Sequence, residues 1–349
     1  MIKKVRILGR AVGDREPCFI IAEAGVNHNG KFSLAKKMID EAKNAGADAV
    51  KFQVFHAEQL VTKTAEKAAY QKKTTGNSSQ YNMLKKLELT KDEFRKLAAY
   101  AKKKNIIFLA SAFDKESVDF LYELKVPAFK IPSGEITNFS LLKHIARKGK
   151  PIIMSTGMSN LGEVDEAIKT MREEGAKDVV LLHCVSNYPA KVEETNLRAM
   201  ETLGHTFGLP VGLSDHTVGI TIPIAAAALG AAIIEKHFTL GRKLPGPDHK
   251  ASLEPKEMAE MIARIRNVER ALGDGIKRPT KSEELVKKAV RRSIVARVRI
   301  PKGTVITKEM LELKRPGTGI GPKYLEKVIG KRAKKDIAAD ELIALEKLA

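Results

Sequence analysis

Seven ionisable residues of this chain sit at or near the ends of short apolar runs: Glu23, Lys51, Lys130, Glu135, His216, Glu235 and His237. Runs of that kind read as strands, in which alternate residues face the same side. Counting by twos groups Glu23 with Gly25 and Asn27, Lys51 with Gln53, Ser214 with His216, and Glu235 with His237. A charge turned into an interior is costly unless it is paired. Any one residue has a purely structural explanation; Glu23, for instance, could be half of a buried ion pair with Lys51. Seven together imply a site that handles charge.

His216 and His237 come from consecutive strands, which lie about 5 Å apart when they pair. Both imidazoles could then reach one ion, and two histidines with nearby carboxylate, water or substrate oxygens suit a divalent metal of the Mn²⁺ type better than a closed structural zinc. The competing reading is a pair of satisfied core histidines. Lys51 and Lys130 point toward the same place and, with Ser133, Ser155, Thr156, Ser186, Asn187 and Ser214, form a set of donors. Lysine is a point charge suited to phosphate and carboxylate, and hydroxyls and amides complete an anion's hydrogen bonds. The ligand implied is small and strongly anionic, although each serine alone also reads as turn chemistry. Lys236 has the opposite parity and stays outside the set.

Eight strands must position these groups. The candidates are residues 19–27, 49–55, 106–113, 128–135, 151–157, 179–189, 211–217 and 231–239. Amphipathic stretches separate them: 33–45 with Leu34, Met38, Ala42 and Ala45 on one side, 91–104 with Phe94, Leu97, Ala98 and Ala101, and a last one with Met258, Met261, Ile262, Ile265, Val268 and Leu272. Eight evenly spaced strand and helix units in about 270 residues predict an α/β fold, a (β/α)₈ or TIM barrel, whose active site lies at the C-terminal ends of the strands. Residues 5–17 read as a hairpin closing the barrel bottom. The barrel is expected over 1–275, a linker rich in Gly, Pro and charge over 276–290, and a small β-rich domain over 291–349.

Composition narrows the classes. Of 349 residues, 62 are Lys or Arg and 42 Asp or Glu, a formal charge of +20. A nucleic-acid partner would want clustered cations and aromatics for stacking, yet aromatics are 5% and the lysines are spread over polar helix faces. That class is set aside, leaving a solvated lysine coat around a few inward cations. No stretch has the roughly 18 apolar residues of a membrane span, and residues 1–10 lack the core of a signal peptide, so a cytoplasmic protein with no membrane partner is expected. Cys18 and Cys184 read as reduced core thiols.

Several stretches resemble the sialic acid synthases: IAEAGVNHNG (21–30), KFQ (51–53), FKIPSGE (129–135), STGM (155–158), SDHT (214–217), EKHFT (235–239) and GPDHKASLEP (246–255). KRPGTGI (314–320) lies in a tail that resembles the SAF, antifreeze-like or β-clip domain of that family. The resemblance implies condensation of phosphoenolpyruvate with an open-chain N-acetylated hexosamine, and phosphate leaving by C–O cleavage. It implies Mn²⁺, with Mg²⁺ or Co²⁺ as alternatives, on His216 and His237, and phosphoenolpyruvate on Lys51, Lys130, Ser133, Ser155, Ser186 or Asn187, and Ser214. Glu23, Glu235 and Lys51 become the expected catalytic groups, and Gln53, Asn77, Glu135, Tyr188, Asp248 and Arg315 the expected sugar contacts. A homodimer is implied, Arg315 reaching the partner subunit's barrel. N-acetylmannosamine ranks first as acceptor, a 2,4-diacetamido-trideoxy sugar of the legionaminic acid type second, and a 6-phosphorylated sugar third. The rival enzyme is a Schiff-base aldolase with Lys51 or Lys130 as nucleophile.

Overall fold

The computed structural model describes residues 4–349. The chain divides after Gly273 into two compact units.

In the first unit eight parallel strands close into a barrel. They are β3 (Phe19–Gly25), β4 (Ala49–Val54), β5 (Ile107–Ala112), β6 (Phe129–Ile131), β7 (Ile152–Ser155), β8 (Val179–Cys184), β9 (Val211–Asp215) and β10 (Ile233–His237), with β10 pairing back onto β3. Ahead of them β1 (Val5–Ile7) and β2 (Arg10–Val12) form the expected antiparallel hairpin.

Strand parity sorts the buried side chains into two layers. Ile20, Ala22, Val50, Phe52, Ala110, Ile131, Met154, Leu181, Leu213 and Ile234 turn outward and pack with the helices in the larger apolar cluster. Phe19, Ile21, Ala49, Leu109, Ala128, Ile153, Val180, Leu182 and Ile233 turn inward and fill the lower barrel, where Val5, Ile7 and Val12 of the hairpin join them. The hairpin therefore closes the floor.

The helices follow from local signals. Thr90 opens Lys91–Lys103 as a capping box with Glu93, and Phe94, Leu97 and Ala101 are its buried stripe. The last helix of the unit, Pro255–Leu272, buries Met258, Met261, Ile262 and Ile265. The expected stripe ends earlier than predicted, because Val268 is half-buried and Leu272 exposed.

The second unit has its own core of Ile294, Ala296, Ile300, Ile306, Leu311, Val328, Ala333, Ile337, Ile343 and Leu348. Its regular pair is antiparallel, β11 (Ser293–Ala296) with β12 (Leu311–Lys314). The stretch expected as a linker, 276–290, belongs to this unit and holds a helix, Lys281–Val290. Thr280 and Glu283 cap it reciprocally, and its apolar residues Leu285, Val286 and Val290, though at helical spacing, are exposed.

Candidate active site

Above the apolar floor the same inward parity carries polar residues. Continuing up each strand, Phe19 and Ile21 lead to Glu23, Ala49 to Lys51, Leu109 to Ser111, Ala128 to Lys130, Ile153 to Ser155, Leu182 to Cys184, and Ile233 to Glu235 and His237. These groups line a cavity of about 450 Å³ at the C-terminal ends of the strands.

Two lysines and two glutamates form its base, all nearly inaccessible to solvent. Lys51 Nζ lies 2.8 Å from Glu23 Oε2 and 3.7 Å from Glu235 Oε2. It also donates to Ser111 Oγ at 3.0 Å. Lys130 Nζ lies 3.6 Å from Glu235 Oε1 and donates to Ser155 Oγ at 2.7 Å. Ser214 Oγ donates to Glu235 Oε1 at 3.0 Å, and Gln53 Nε2 to Glu23 Oε1 at 3.3 Å. Burial dominates the titration of the cluster. It pushes Glu23 up to about 7 against the pull of Lys51, and it lowers Lys130. Burial also acts on Glu235, but Lys130 and Lys51 outweigh it and hold that carboxyl below its ordinary range. The two carboxylates are thus pushed apart, one ionised between lysines and one near neutrality.

A second group faces them. His216 and His237 have ring centroids 5.3 Å apart. His216 Nδ1 donates to the Val185 carbonyl at 2.7 Å, which leaves Nε2 with its lone pair. His237 is kept neutral, first by burial and then by His216. Its Nδ1 is buried without a hydrogen-bond partner, a nitrogen in want of a ligand. Burial works to lower His216, but the Cys184 side chain outweighs it and holds that imidazole above its ordinary value; with its proton given up, the free Nε2 and the orphaned His237 nitrogen fit a divalent cation. No group of three or more His, Cys, Asp or Glu able to hold a metal occurs among the described residues, so the other positions would fall to water or substrate oxygens. The Tyr188 ring covers His216 at 4.0 Å between centroids, and Tyr70 stacks on Tyr188 at 5.2 Å.

A polar cradle adjoins Lys130. Ser133 Oγ accepts from the Gly157 N–H at 3.0 Å. A Cβ at Gly157 would collide with the Ser133 and Ser186 hydroxyls, so only glycine leaves that space open.

The outer wall comes from residues that strand parity does not single out, except Phe113, two beyond Ser111. Val26, Met83, Leu84, Leu87 and Phe113 supply apolar surface, and Tyr70, Gln71 and Gln80 polar surface. Lys67 anchors the segment carrying the polar trio: its buried ammonium donates to Thr75 Oγ1, Ser78 Oγ and the carbonyls of Thr75 and Gly76, at 2.8–3.3 Å.

Most of the expected residues meet at this cavity: Glu23, Lys51, Gln53, Lys130, Ser133, Ser155, Ser186, Tyr188, Ser214, His216, Glu235, His237 and Asp248 all line it. Burial pushes Asp248 up to about 6. Others lie elsewhere. Thr156 spends its hydroxyl on the Leu182 carbonyl, bracing β7 to β8. Asn187 is exposed and accepts from the Tyr188 N–H, so of the pair only Ser186 reaches the cavity. Asn77 is exposed, and Glu135 accepts from the Asn138 amide; neither lines the cavity. Arg315 is exposed in the second unit, just beyond β12. Cys18 is a core thiol, but Cys184, expected beside it, lines the cavity because it shares Leu182's inward parity. Ser111, absent from the expected set, was open to the same reasoning, two residues beyond Leu109.

Fold and cavity define a TIM-barrel protein whose mouth holds a buried cluster of charged groups, followed by a second small domain. The NeuB family profile matches residues 38–277 and the SAF domain profile residues 291–349; the chain belongs to the NeuB family, the sialic-acid-type synthases. It is 52% identical to the N,N'-diacetyllegionaminic acid synthase of Campylobacter jejuni, over 93% of this chain and 98% of that one. It is 38% identical to human N-acetylneuraminate-9-phosphate synthase, over 97% and 94%. Among solved structures, the N-acetylneuraminic acid synthetase of Leptospira borgpetersenii superposes with a TM-score of 0.74 at 38% identity, covering 82% of this chain and 95% of that one.

Proposed function

We propose that this chain condenses phosphoenolpyruvate with the open-chain aldehyde of an N-acetylated amino sugar. C3 of the enolpyruvate bonds to the aldehyde carbon, water adds at C2, and phosphate departs with the bridging oxygen, giving a 3-deoxy-2-keto acid. The observation that carries this reading is the buried Lys51, Lys130, Glu23 and Glu235 cluster facing the His216 and His237 imidazoles in one cavity.

Lys51 and Lys130 are the cations for phosphate and carboxylate, with Ser155, Ser186, Ser214 and the cradle at Gly157 completing their hydrogen bonds. Glu235 keeps both lysines charged and oriented. Glu23 lies 2.8 Å from Lys51 and is suited to steady positive charge developing at C2 and to take the proton of the water that adds there. A divalent ion on His216 and His237, Mn²⁺ by preference, would supply Lewis acidity toward the aldehyde oxygen.

The outer wall reorders the acceptors. The lysines among the lining residues are Lys51 and Lys130, both at the base, and no arginine joins them. A 6-phosphorylated sugar would want a further cation, whereas apolar and amide surface suits acetamido methyls and a deoxy carbon. With the 52% identity to a diacetyllegionaminic acid synthase, this favours a 2,4-diacetamido-trideoxy sugar over N-acetylmannosamine.

The test is phosphate release from phosphoenolpyruvate with each sugar, before and after chelation. Release should require sugar, be at least tenfold more efficient (kcat/KM) with the diacetamido sugar, and stop in EDTA until Mn²⁺ is restored. Sugar-independent release, or an adduct on Lys51 or Lys130 trapped by borohydride, would replace this reading with hydrolysis or an aldolase.

A further inference from the structure

Lys236 and Asp215 lie opposite one another on β10 and β9, with side chains on the outer, helix-facing side of the barrel. Both are buried in the layer that holds Leu213, Ile234 and Phe238. Lys236 Nζ lies 2.5 Å from Asp215 Oδ2 and donates to the Thr217 carbonyl at 2.5 Å. Asp215 Oδ1 accepts from the Thr217 N–H, and Oδ2 from the Thr217 hydroxyl, each at 3.1 Å.

A buried ion pair in an apolar layer is poor value as a stabiliser. Desolvating both charges offsets most of their attraction, and apolar replacements of similar volume are often neutral or better. Its place in the strands suggests another purpose. The β9–β10 ladder ends at the Asp215 and Lys236 pair, while His216 lies one residue further on, beyond the end of β9. His237 is still held by the sheet, its carbonyl accepting from Leu253 N–H and the next residue's N–H donating to Glu23. His216 is held on one side by Ala190, whose N–H donates to its carbonyl. On the β10 side, Lys236 carries the tie past the last strand residue to Thr217.

We infer that Lys236, through Asp215 and Thr217, is a positioning residue that fixes the spacing of the His216 and His237 imidazoles for a shared divalent ion. The inference rests on the metal reading proposed above. The parity that keeps Lys236 out of the cavity lets it act from behind on both histidines, one residue from His237 and two strand positions from Thr217's carbonyl. Groups that orient metal-binding histidines typically change metal affinity about 10- to 100-fold when removed.

The experiment is Mn²⁺ titration of the full chain, without substrates, by electron paramagnetic resonance of free Mn²⁺, with thermal unfolding of the metal-free protein alongside. The variants are Lys236→Met and the double Asp215→Asn, Lys236→Met, which keeps an acceptor for the Thr217 N–H and leaves no unpaired charge should the single variant misfold. His237→Ala is the control. In the double variant the Mn²⁺ Kd should rise about 10- to 100-fold while the apo Tm is unchanged or higher. A Kd within twofold of wild type, with His237→Ala clearly weakened, would overturn the positioning role alone. Wild-type protein that binds no Mn²⁺, or binds it equally well after His237→Ala, would overturn the metal reading and this inference with it.

Discussion

The floor and the mouth of the barrel are built by the same strands on the same inward parity, yet they hold opposite chemistry. Up to Ile21, Ala49, Leu109, Ile153 and Ile233 the interior is apolar and closed by the hairpin. One step further along each strand come Glu23, Lys51, Ser111, Ser155 and Glu235, equally buried but polar. About 25 cal/mol for each square ångström of apolar surface removed from water favours the floor, while the mouth bears the desolvation of four charges. The difference teaches that stability and chemistry are stacked along one axis and should be separable by substitution.

Lys51→Met is expected to have the largest effect. Removing the cation that joins Glu23 and Glu235 should lower kcat/KM for phosphoenolpyruvate by about 10³ or more, roughly 4 kcal/mol, with a Tm near that of wild type because Glu23, already drawn up to about 7, can take up a proton while Glu235 keeps Lys130. Coupled phosphate release and calorimetry check this together; a retained rate with a lowered Tm would erase the contrast. Ile153→Ala at the floor should do the reverse. It should lose about 2–5 kcal/mol in urea unfolding of the barrel, with kcat per folded molecule unchanged.

The pH response should also divide. His28 and His249, in the loops that follow β3 and β10, are both drawn down to about 4, chiefly by burial. Their unfolded value is near 6.5, so the unfolded chain takes up protons that the folded one refuses. The histidines' share of stability is fully present above pH 6.5 and is lost as pH falls from about 6.5 to 4, by up to about 3 kcal/mol for each, while Glu23 and Asp248, raised to about 7 and about 6, act in the opposite sense over part of that window. Urea unfolding across that window should show wild type losing stability relative to His28→Gln as pH falls, by up to about 3 kcal/mol; a difference that does not change with pH would place the acid sensitivity elsewhere.

Much of the molecule is legible in the sequence, because period-two and period-3.6 patterns report directly on which faces are buried. All eight barrel strands and the hairpin were found in this way, and parity also collected the charged base of the cavity. What stayed hidden mostly lacked a periodic signature. The helix Lys281–Val290 is the exception, with a capping pair and Leu285, Val286, Ala289 and Val290 at helical spacing, but the Gly, Pro and charge around it read as a linker. Tyr70, Gln71 and Gln80 reach the cavity through a segment folded around Lys67, a cluster of contacts that spacing does not encode. Asn77, Asn187 and Glu135 have suitable side chains near the right motifs, but local hydrogen bonds or exposure keep them off the cavity lining. Cys184 was assigned from residue type, although strand parity pointed inward.

The central claim is that carbon–oxygen cleavage of phosphoenolpyruvate accompanies bond formation to the sugar at this mouth. Phosphoenolpyruvate carrying ¹⁸O in its bridging position tests it most directly, with turnover on the diacetamido sugar and mass analysis of both products. The label should appear in the released phosphate, with unlabelled solvent oxygen at C2 of the keto acid. Label retained in the keto acid would mean phosphorus–oxygen cleavage and would contradict the account.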